Sequence, residues 1–147
     1  MSKILNESIT QTIPKKWLPG IQEVHKAVFD GDVFKEQKLQ NKMNFIAVLA
    51  VEEQKVMGFK FGYEHPDGVF YSWLGGVHPK FQRRGIALKC MNTQHEWCKE
   101  QGYKRVRTYG RNGKKAMLIV NLKVGFAITE TFTDEKGRHK IVFEKDL

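Results

Sequence analysis

The region from residue 69 to residue 101 constrains the fold most, because a strand pattern, a short basic loop and a helix pattern follow one another directly. Val69–Val77 reads as a strand, and Ile86–Gln101 has apolar residues at helical spacing. The loop between them ends in Arg83-Arg84-Gly85. Backbone N–H groups at a helix start are partially positive and would repel these arginines. We therefore expect an anion such as a phosphate to bind where this helix begins.

The same reading applied to the whole chain predicts alternating strands and helices. Hairpin-linked strands combined with helical crossovers indicate an α/β protein with a single mixed, mostly antiparallel sheet flanked by about four helices. No repeat or linker interrupts the pattern, so we expect one domain over residues 1–147. The predicted strands lie in Lys3–Thr12, Asn44–Glu52, Lys55–Tyr63, Val69–Val77, Tyr103–Tyr109, Phe126–Phe132 and Lys140–Glu144, and the predicted helices are Pro14–Phe29, Phe34–Lys42, Ile86–Gln101 and Lys114–Lys123.

The net positive charge is confined to the second half of the chain. Residues 1–78 contain nine basic and nine acidic side chains, whereas residues 79–147 contain sixteen basic and seven acidic ones and supply the whole net charge of +9. The bias therefore begins at the basic loop, where a positive potential would help to capture a small polyanion. Nucleic-acid binding and a solvated basic surface are the alternative explanations.

The cysteines and the apolar runs indicate a cytoplasmic protein. Cys90 and Cys98 lie eight residues apart in one predicted helix, roughly 12 Å from each other, which is too far for a disulfide. Reduced thiols are typical of the cytosol. No run approaches the roughly 18 apolar residues of a membrane span, and the N-terminus lacks the apolar segment of a signal peptide. No Cys/His spacing indicates zinc, so we expect no metal.

Two motifs carry a resemblance to a known family. Gln82 to Ala87 fits the pattern Gln/Arg-x-x-Gly-x-Gly/Ala and follows Val77-x-Pro79, and Asn121 to Phe126 ends a later helix at Gly-Phe. With these motifs the chain resembles the GNAT superfamily of acyl-CoA N-acyltransferases, whose element order it shares. The resemblance implies that backbone amides of the loop hold the diphosphate of acetyl-CoA. The loop residues are Gln82, Arg83, Arg84, Gly85, Ile86 and Ala87.

The strand before the loop is the second expected coenzyme contact. Paired glycines, here Gly75 and Gly76 before Val77, weaken a strand and often mark a bulge or a close backbone approach. The resemblance implies that this strand splays from its neighbour and that the pantetheine arm lies in the gap. Asn112 resembles the asparagine that contacts this arm in relatives.

The proton-handling residues differ from those of familiar relatives. Asn121 stands where many members have a tyrosine acid, and Tyr71 stands where histone-acetylating members have a glutamate base. Asparagine does not donate a proton at neutral pH, and tyrosine is a poor base there. Asn121 therefore either steadies the thiolate or leaves acid catalysis to another group. The candidates for the base are Glu52, Glu64, His78 or a chain of water molecules.

The acceptor is a primary amine whose identity stays open between a small molecule and a peptide. Tyr71 and Trp73 alternate on one strand face and, with Phe70, hint at an acceptor with apolar surface, although aromatic core is an equal interpretation. We therefore expect an N-acetyltransferase that moves an acetyl group from acetyl-CoA in a ternary complex. The alternatives are a non-catalytic acyl-CoA-binding relative and a basic nucleic-acid-binding protein.

Overall fold

The computed structural model describes residues 4–147, through which one seven-stranded sheet runs. The strands are β1 (Leu5–Thr10), β2 (Ile46–Glu52), β3 (Lys55–Glu64), β4 (Phe70–Val77), β5 (Arg105–Gly110), β6 (Ala127–Thr133) and β7 (His139–Asp146), and the helices are α1 (Leu18–Val28), α2 (Ile86–Glu100) and α3 (Lys115–Lys123). The spatial order is β1-β2-β3-β4-β5-β7-β6. Only β4 and β5 are parallel neighbours among these strands. The predicted mixed, mostly antiparallel sheet is confirmed.

The sheet is covered on both faces, because its central strands are apolar on both sides. Along β2, Ala47 and Leu49 pack with Ile21 of α1, whereas Val48 packs into a second cluster with Met91 of α2. All four of the neighbouring positions from Ala47 to Ala50 are fully buried. We call the two sides the α1 face and the α2 face. A strand buried on both sides reads as a continuous apolar run, as Ile46 to Val51 does.

The helix content is lower than the sequence predicts. Phe34–Lys42 is not a helix, and only Glu36–Leu39 forms a single 3-10 turn, so residues 4–147 contain three α-helices rather than four. The segment has too few apolar residues to anchor a longer helix on the sheet, since only Phe34 is buried. The first helix begins at Leu18 rather than at Pro14. Pro19 has no N–H to bond the carbonyl of residue 15, so it fits only the first turn.

The predicted strands are all present in the described residues, with ends that differ by a few positions, and Lys3 lies outside those residues. None of the helices between residues 4 and 147 is long and apolar enough to cross a lipid bilayer. In the same residues, no group of three or more His, Cys, Asp or Glu side chains is placed to hold a metal ion.

Candidate functional site

The sheet opens between β4 and β5. These strands pair only where Phe70 faces Val106 and Tyr71 faces Arg107. The hydroxyl of Thr108 still donates to the carbonyl of Ser72 at 2.8 Å. Beyond that point β4 pairs only with β3, and β5 continues along β7. The β5-side edge of β4 from residue 73 to residue 77 therefore has no strand partner within the described chain.

A bulge shapes this open edge. Lys60 of β3 pairs with Gly75, and Gly62 pairs with Ser72, so two residues of β4 stand opposite one residue of β3. A bulge of this kind bends the strand that carries the extra residue, and β4 has no β5 partner from this point onwards. The bulge lies at Trp73 and Leu74, directly before the paired glycines Gly75 and Gly76.

The two glycines are required by the protein's own packing. A Cβ on Gly75 would lie 2.7 Å from Cδ of Lys60 and 2.8 Å from the carbonyl oxygen of Phe59. A Cβ on Gly76 would lie 2.9 Å from a methyl group of Val28 in α1. Both faces of β4 are therefore filled at this point, and only its outer edge is open.

The loop after β4 leads to a helix start that no side chain caps. The ring nitrogen Nδ1 of His78 accepts a hydrogen bond from the backbone N–H of Lys80 at 3.1 Å and caps a 3-10 turn over Pro79–Phe81. Gly85 then takes a left-handed φ of 72° and starts α2, with no side-chain cap and no acidic residue in the first turn. A Cβ built on Gly85 meets no atom within 4 Å. The first turn of α2 is therefore open to an anion.

The arginines of this loop lie where the sequence predicts them. Arg83 is exposed and holds a left-handed φ of 67°, which is uncommon for a residue with a side chain. The guanidinium of Arg84 lies 3.7 Å from Glu52 Oε1 and 5.6 Å from the ring centre of Phe81. Glu52 thus offsets part of the charge of Arg84, whereas Arg83 makes no ion pair within residues 4–147.

A second uncapped helix start lies beside the first. Parallel strands end at the same edge of a sheet, so the chain leaving β5 starts α3 next to the start of α2. Lys114 precedes α3 without a side-chain cap, and no acidic residue lies in the first turn. Asn112 is exposed in the turn closed by the bond from Lys114 N–H to the carbonyl of Arg111. Asn112 therefore lies at the same edge as the loop.

An aromatic surface covers the α1 face of the opening. Tyr71 on β4 lies 5.4 Å from Tyr63 and 5.3 Å from Tyr109 between ring centres, so the rings bridge the point where β4 and β5 separate. Trp73 lies 5.4 Å from Tyr63. We define this aromatic surface by six side chains: Tyr63, His65, Tyr71, Trp73, Tyr109 and Phe132. Tyr71 and Trp73 share a face, as the alternation predicts.

Phe70 does not belong to this surface. It is fully buried on the α2 face, with its ring 5.8 Å from Trp97 and 5.2 Å from Tyr103. The sequence expectation that it lines the acceptor site is wrong, because side chains alternate across a strand and Phe70 points away from Tyr71.

Polar side chains are buried on the α2 face beneath the opening, and the sequence did not indicate them. Lys60 is only 8% exposed, and Ser72, Gln94 and His95 are also buried. Among residues 4–147, both amide atoms of Gln94, the hydroxyl of Ser72 and Nε2 of His95 have no hydrogen-bond partner. Burial lowers the pKa of Lys60 to about 8. The available signal was a lysine between Phe59 and Phe61 in a strand that is apolar on both faces.

The two candidate catalytic side chains lie on opposite faces. Burial raises the pKa of the Tyr71 phenol, so even less phenolate is present to act as a base near neutrality. Asn121 is 3% exposed in α3, and its side-chain oxygen has no partner among the described residues. Its backbone carbonyl accepts from Phe126 N–H at 3.0 Å and helps to end the helix.

None of the three side chains considered as the base reaches the aromatic surface. Glu52 lies beside Arg84, and His78 caps the turn before the loop. Glu64 accepts hydrogen bonds from Tyr103 at 2.7 Å and from Asn44 at 3.2 Å. Glu64, Tyr103 and Asn44 line a cavity of about 520 Å³ at the start of β4 and the end of α2. This is the end of both elements that lies farthest from the loop Gln82–Ala87.

His65 is the titratable group on the aromatic surface that sequence reasoning missed. Its Nδ1 lies 3.4 Å from Nη1 of Arg107, which also donates to Asp67 at 2.9 Å. A guanidinium only donates, so Nδ1 accepts and the neutral ring carries its proton on Nε2. Burial, followed by the charge of Arg107, lowers the pKa of His65. The free ring nitrogen of His65 is thus a donor rather than a base.

Comparison with known proteins shows which family and which solved structures the chain resembles. The model of the GNAT acetyltransferase family matches residues 9–118, and comparison with curated protein sequences gives no match. The fold resembles ribosomal-protein-S18-alanine N-acetyltransferase from Escherichia coli, with a TM-score of 0.75 and 13% identity over 95% of this chain and 94% of that chain.

Two further solved structures are similar. Arabidopsis thaliana NAA60, in complex with a bisubstrate analogue, has a TM-score of 0.72 and 14% identity over 96% of this chain and 99% of that chain. A GNAT family acetyltransferase from Elizabethkingia anophelis, with acetyl-CoA bound, has a TM-score of 0.67 and 18% identity over 97% of this chain and 98% of that chain. At sequence identities this low, the structural similarity establishes a shared fold and nothing more.

Proposed function

The chain belongs to the GNAT family of acetyltransferases, and from that premise we propose that it transfers an acetyl group from acetyl-CoA to a primary amine in a ternary complex. The observation that carries the proposal is the open edge of β4, which leads directly into the uncapped start of α2. The opening has cationic helix starts at one end and an aromatic surface on one face. A coenzyme and an acceptor can therefore reach it from different sides.

The diphosphate is assigned to the backbone of Gln82–Ala87. The chemistry of the loop supports this assignment, because a helix start without a cap offers N–H donors and partial positive charge to a phosphate. The open space around Gly85 would let a phosphate approach the backbone. The arm of the coenzyme is assigned to the free edge of β4 at Gly75–Val77, where main-chain groups lack a strand partner and can bond an added chain. Asn112 is assigned to the same arm, supported by its exposed position beside the opening.

Acetyl transfer at this position needs charge stabilisation more than acid catalysis. The amine nitrogen forms a bond to the acetyl carbon, the carbon–sulfur bond breaks, and one proton leaves the amine. Main-chain N–H groups on the free edge of β4 are suited to stabilise the oxygen as negative charge grows on it. A thiolate with a pKa near 8.5 leaves readily, so Asn121 is proposed to steady it by donation rather than to protonate it.

The amine proton is proposed to leave through water. Glu52, Glu64 and His78 are engaged away from the aromatic surface, and His65 is held as a donor. Cytoplasmic location is proposed as well, supported by the free thiols of Cys90 and Cys98, which are both buried.

The coenzyme assignment is tested with Gly85→Glu and a matched control, Gly137→Glu. Both glycines have a left-handed φ and open space at the Cβ position, but Gly137 lies in the turn between β6 and β7. Both variants should lose similar thermal stability from the strained backbone. Calorimetric titration should show coenzyme A binding to Gly137→Glu and none to Gly85→Glu. Wild-type affinity in Gly85→Glu would refute the loop assignment.

A non-catalytic acyl-CoA-binding protein is the second candidate. It is favoured by Asn121 at the position of the usual acid and by the lack of a base on the described part of the aromatic surface. Coenzyme A binding without acetylation of any amine in a broad panel would select this function. Release of free thiol that depends on an added amine would select the transferase.

A further inference from the structure

Lys42 places its ammonium group on the aromatic surface. Its Nζ lies 4.7 Å from the ring centre of Tyr63 and 5.3 Å from that of Trp73. The two rings meet at 85° with their centres 5.4 Å apart, so they form two walls of a corner. We call this feature the ammonium corner. A cation in it faces the negative sides of two rings at once.

No carboxylate explains the position of Lys42. Within residues 4–147, Lys42 takes part in none of the ion pairs. The carboxylates of Asp67 and Glu144 are already engaged by Arg107, at 2.9 Å and 3.0 Å. The charge of Lys42 is felt at His65, where it adds to burial and Arg107 in lowering the pKa. The rings themselves therefore provide the attraction for the ammonium.

The ammonium corner lies beside the opening in the sheet. Trp73 is one of the two β4 residues in the bulge, and the open edge that continues to Gly75 begins there. Lys42 itself comes from the exposed loop between the 3-10 turn Glu36–Leu39 and β2, and it is only half-buried. Its side chain can therefore leave the corner without disturbing the sheet.

We propose that the ammonium corner binds the acceptor's amine, that the acceptor carries this amine on an unbranched alkyl chain as lysine does, and that Lys42 competes for the same place. The inference rests on the proposed function. An alkyl chain of the lysine type lets the methylene groups lie along the rings while the charged end reaches the corner, which is the way Lys42 occupies it. An α-amine joined directly to a branched backbone carbon has no such stem.

The kinetic test compares Lys42→Met with Lys38→Met. Met keeps an unbranched apolar stem on the rings but removes the charge, and Lys38 is an exposed lysine of the 3-10 turn that contacts none of the rings. With acetyl-CoA saturating, the acceptor is Nα-acetyl-lysine methylamide, and alanine amide is the comparison amine. Removing an internal competitor raises the fraction of open sites, so KM for the lysine compound should fall about threefold or more with kcat unchanged. Lys38→Met should match the wild type.

Three results would contradict this inference. An unchanged or higher KM for the lysine compound in Lys42→Met would overturn the competition. A preference of the wild type for alanine amide would overturn the alkyl-chain class. Tyr63→Leu should raise KM for the lysine compound several-fold with little change in kcat, and a loss confined to kcat would count against the ammonium corner.

Direct binding separates this inference from the proposed function. n-Butylammonium is titrated into the coenzyme-A-saturated protein while the indole N–H signal of Trp73 is followed by NMR. Tighter binding to Lys42→Met than to the wild type supports the ammonium corner even if no amine is acetylated. Turnover of other amines without any shift of the Trp73 signal would keep the transferase and reject the ammonium corner.

Discussion

Replacement of Lys60 by Met should stabilise the protein, and most strongly at neutral pH. Lys60 is 8% exposed on the α2 face of β3, with its stem packed over Gly75. Burial lowers its pKa from 10.5 to about 8, and Cys90 would oppose this shift only as a thiolate. The groups that face it from α2 are Cys90, whose pKa burial raises to about 12, and His95, whose pKa burial lowers to about 3. Both are neutral at pH 7, so neither compensates the ammonium.

The magnitude follows from the shift in the pKa of Lys60. A fall from 10.5 to about 8 corresponds to about 3 kcal/mol of unfavourable free energy for the buried ammonium, at 1.36 kcal/mol per pKa unit. Below pH 8 both states carry the proton, so the folded state bears the full cost. Between pH 8 and pH 10.5 the unfolded chain binds more protons than the folded chain, so stability rises with pH. Met removes the charge but keeps an apolar stem of similar length.

Urea unfolding, followed by tryptophan fluorescence between pH 7 and pH 10.5, measures this effect. We expect Lys60→Met to exceed the wild type by about 3 kcal/mol at pH 7, with the difference shrinking to roughly 1 kcal/mol or less at the alkaline end. The difference between the two proteins removes the contribution of other lysines. Exposed Lys99→Met serves as the control and should show no such pH dependence. A destabilised Lys60→Met at pH 7, or a difference independent of pH, would show that the ammonium is well solvated or paired in the fold.

Two further changes test the packing and the electrostatics around the opening. Gly75→Ala should lower the free energy of unfolding in urea by about 1–3 kcal/mol, because its Cβ would lie 2.8 Å from the rigid carbonyl oxygen of Phe59. Gly31→Ala is the control, since it has open space at its Cβ and should cost only the backbone strain of about 1 kcal/mol. Arg107→Gln should raise the pKa of His65 in an NMR titration, because the guanidinium charge adds to burial in lowering it, and an unchanged pKa would mean that burial alone sets the value.

Local patterns predicted most elements but not the contacts that make the site. Alternation and turn residues located the strands, and Gly102 ends α2 because its left-handed backbone suits a helix C-terminus. The segment Phe34–Lys42 was misread because its helical spacing has only one buried anchor, and packing rather than propensity decides such short helices. Phe70 was misplaced although alternation along the strand already puts it on the opposite face from its neighbour Tyr71.

The side chains that sequence reasoning missed are brought in by long-range register. Lys60 faces Gly75 only because the bulge shifts the register, and His65 meets Arg107 only across the short parallel pairing of β4 and β5. Neither relation has a signature within a window of neighbouring residues. The loop Gln82–Ala87, by contrast, is contiguous in sequence, so its charge and its helix start could be predicted together.

Strand order explains why the basic half of the chain favours a small polyanion over a nucleic acid. Three arginines outside the two helix starts are paired: Arg105 with Asp146, Arg107 with Asp67 and Glu144, and Arg138 with Asp134. At the starts of α2 and α3, within residues 4–147, only Arg84 among the basic residues Lys80, Arg83, Arg84, Arg111, Lys114 and Lys115 makes an ion pair, at 3.7 Å. Five basic side chains of the described chain therefore keep their charge without an ion pair where the two helices begin, at the same edge of the sheet. A compact field of this kind attracts a ligand with clustered phosphates, whereas an extended backbone requires a stripe of charge along a face.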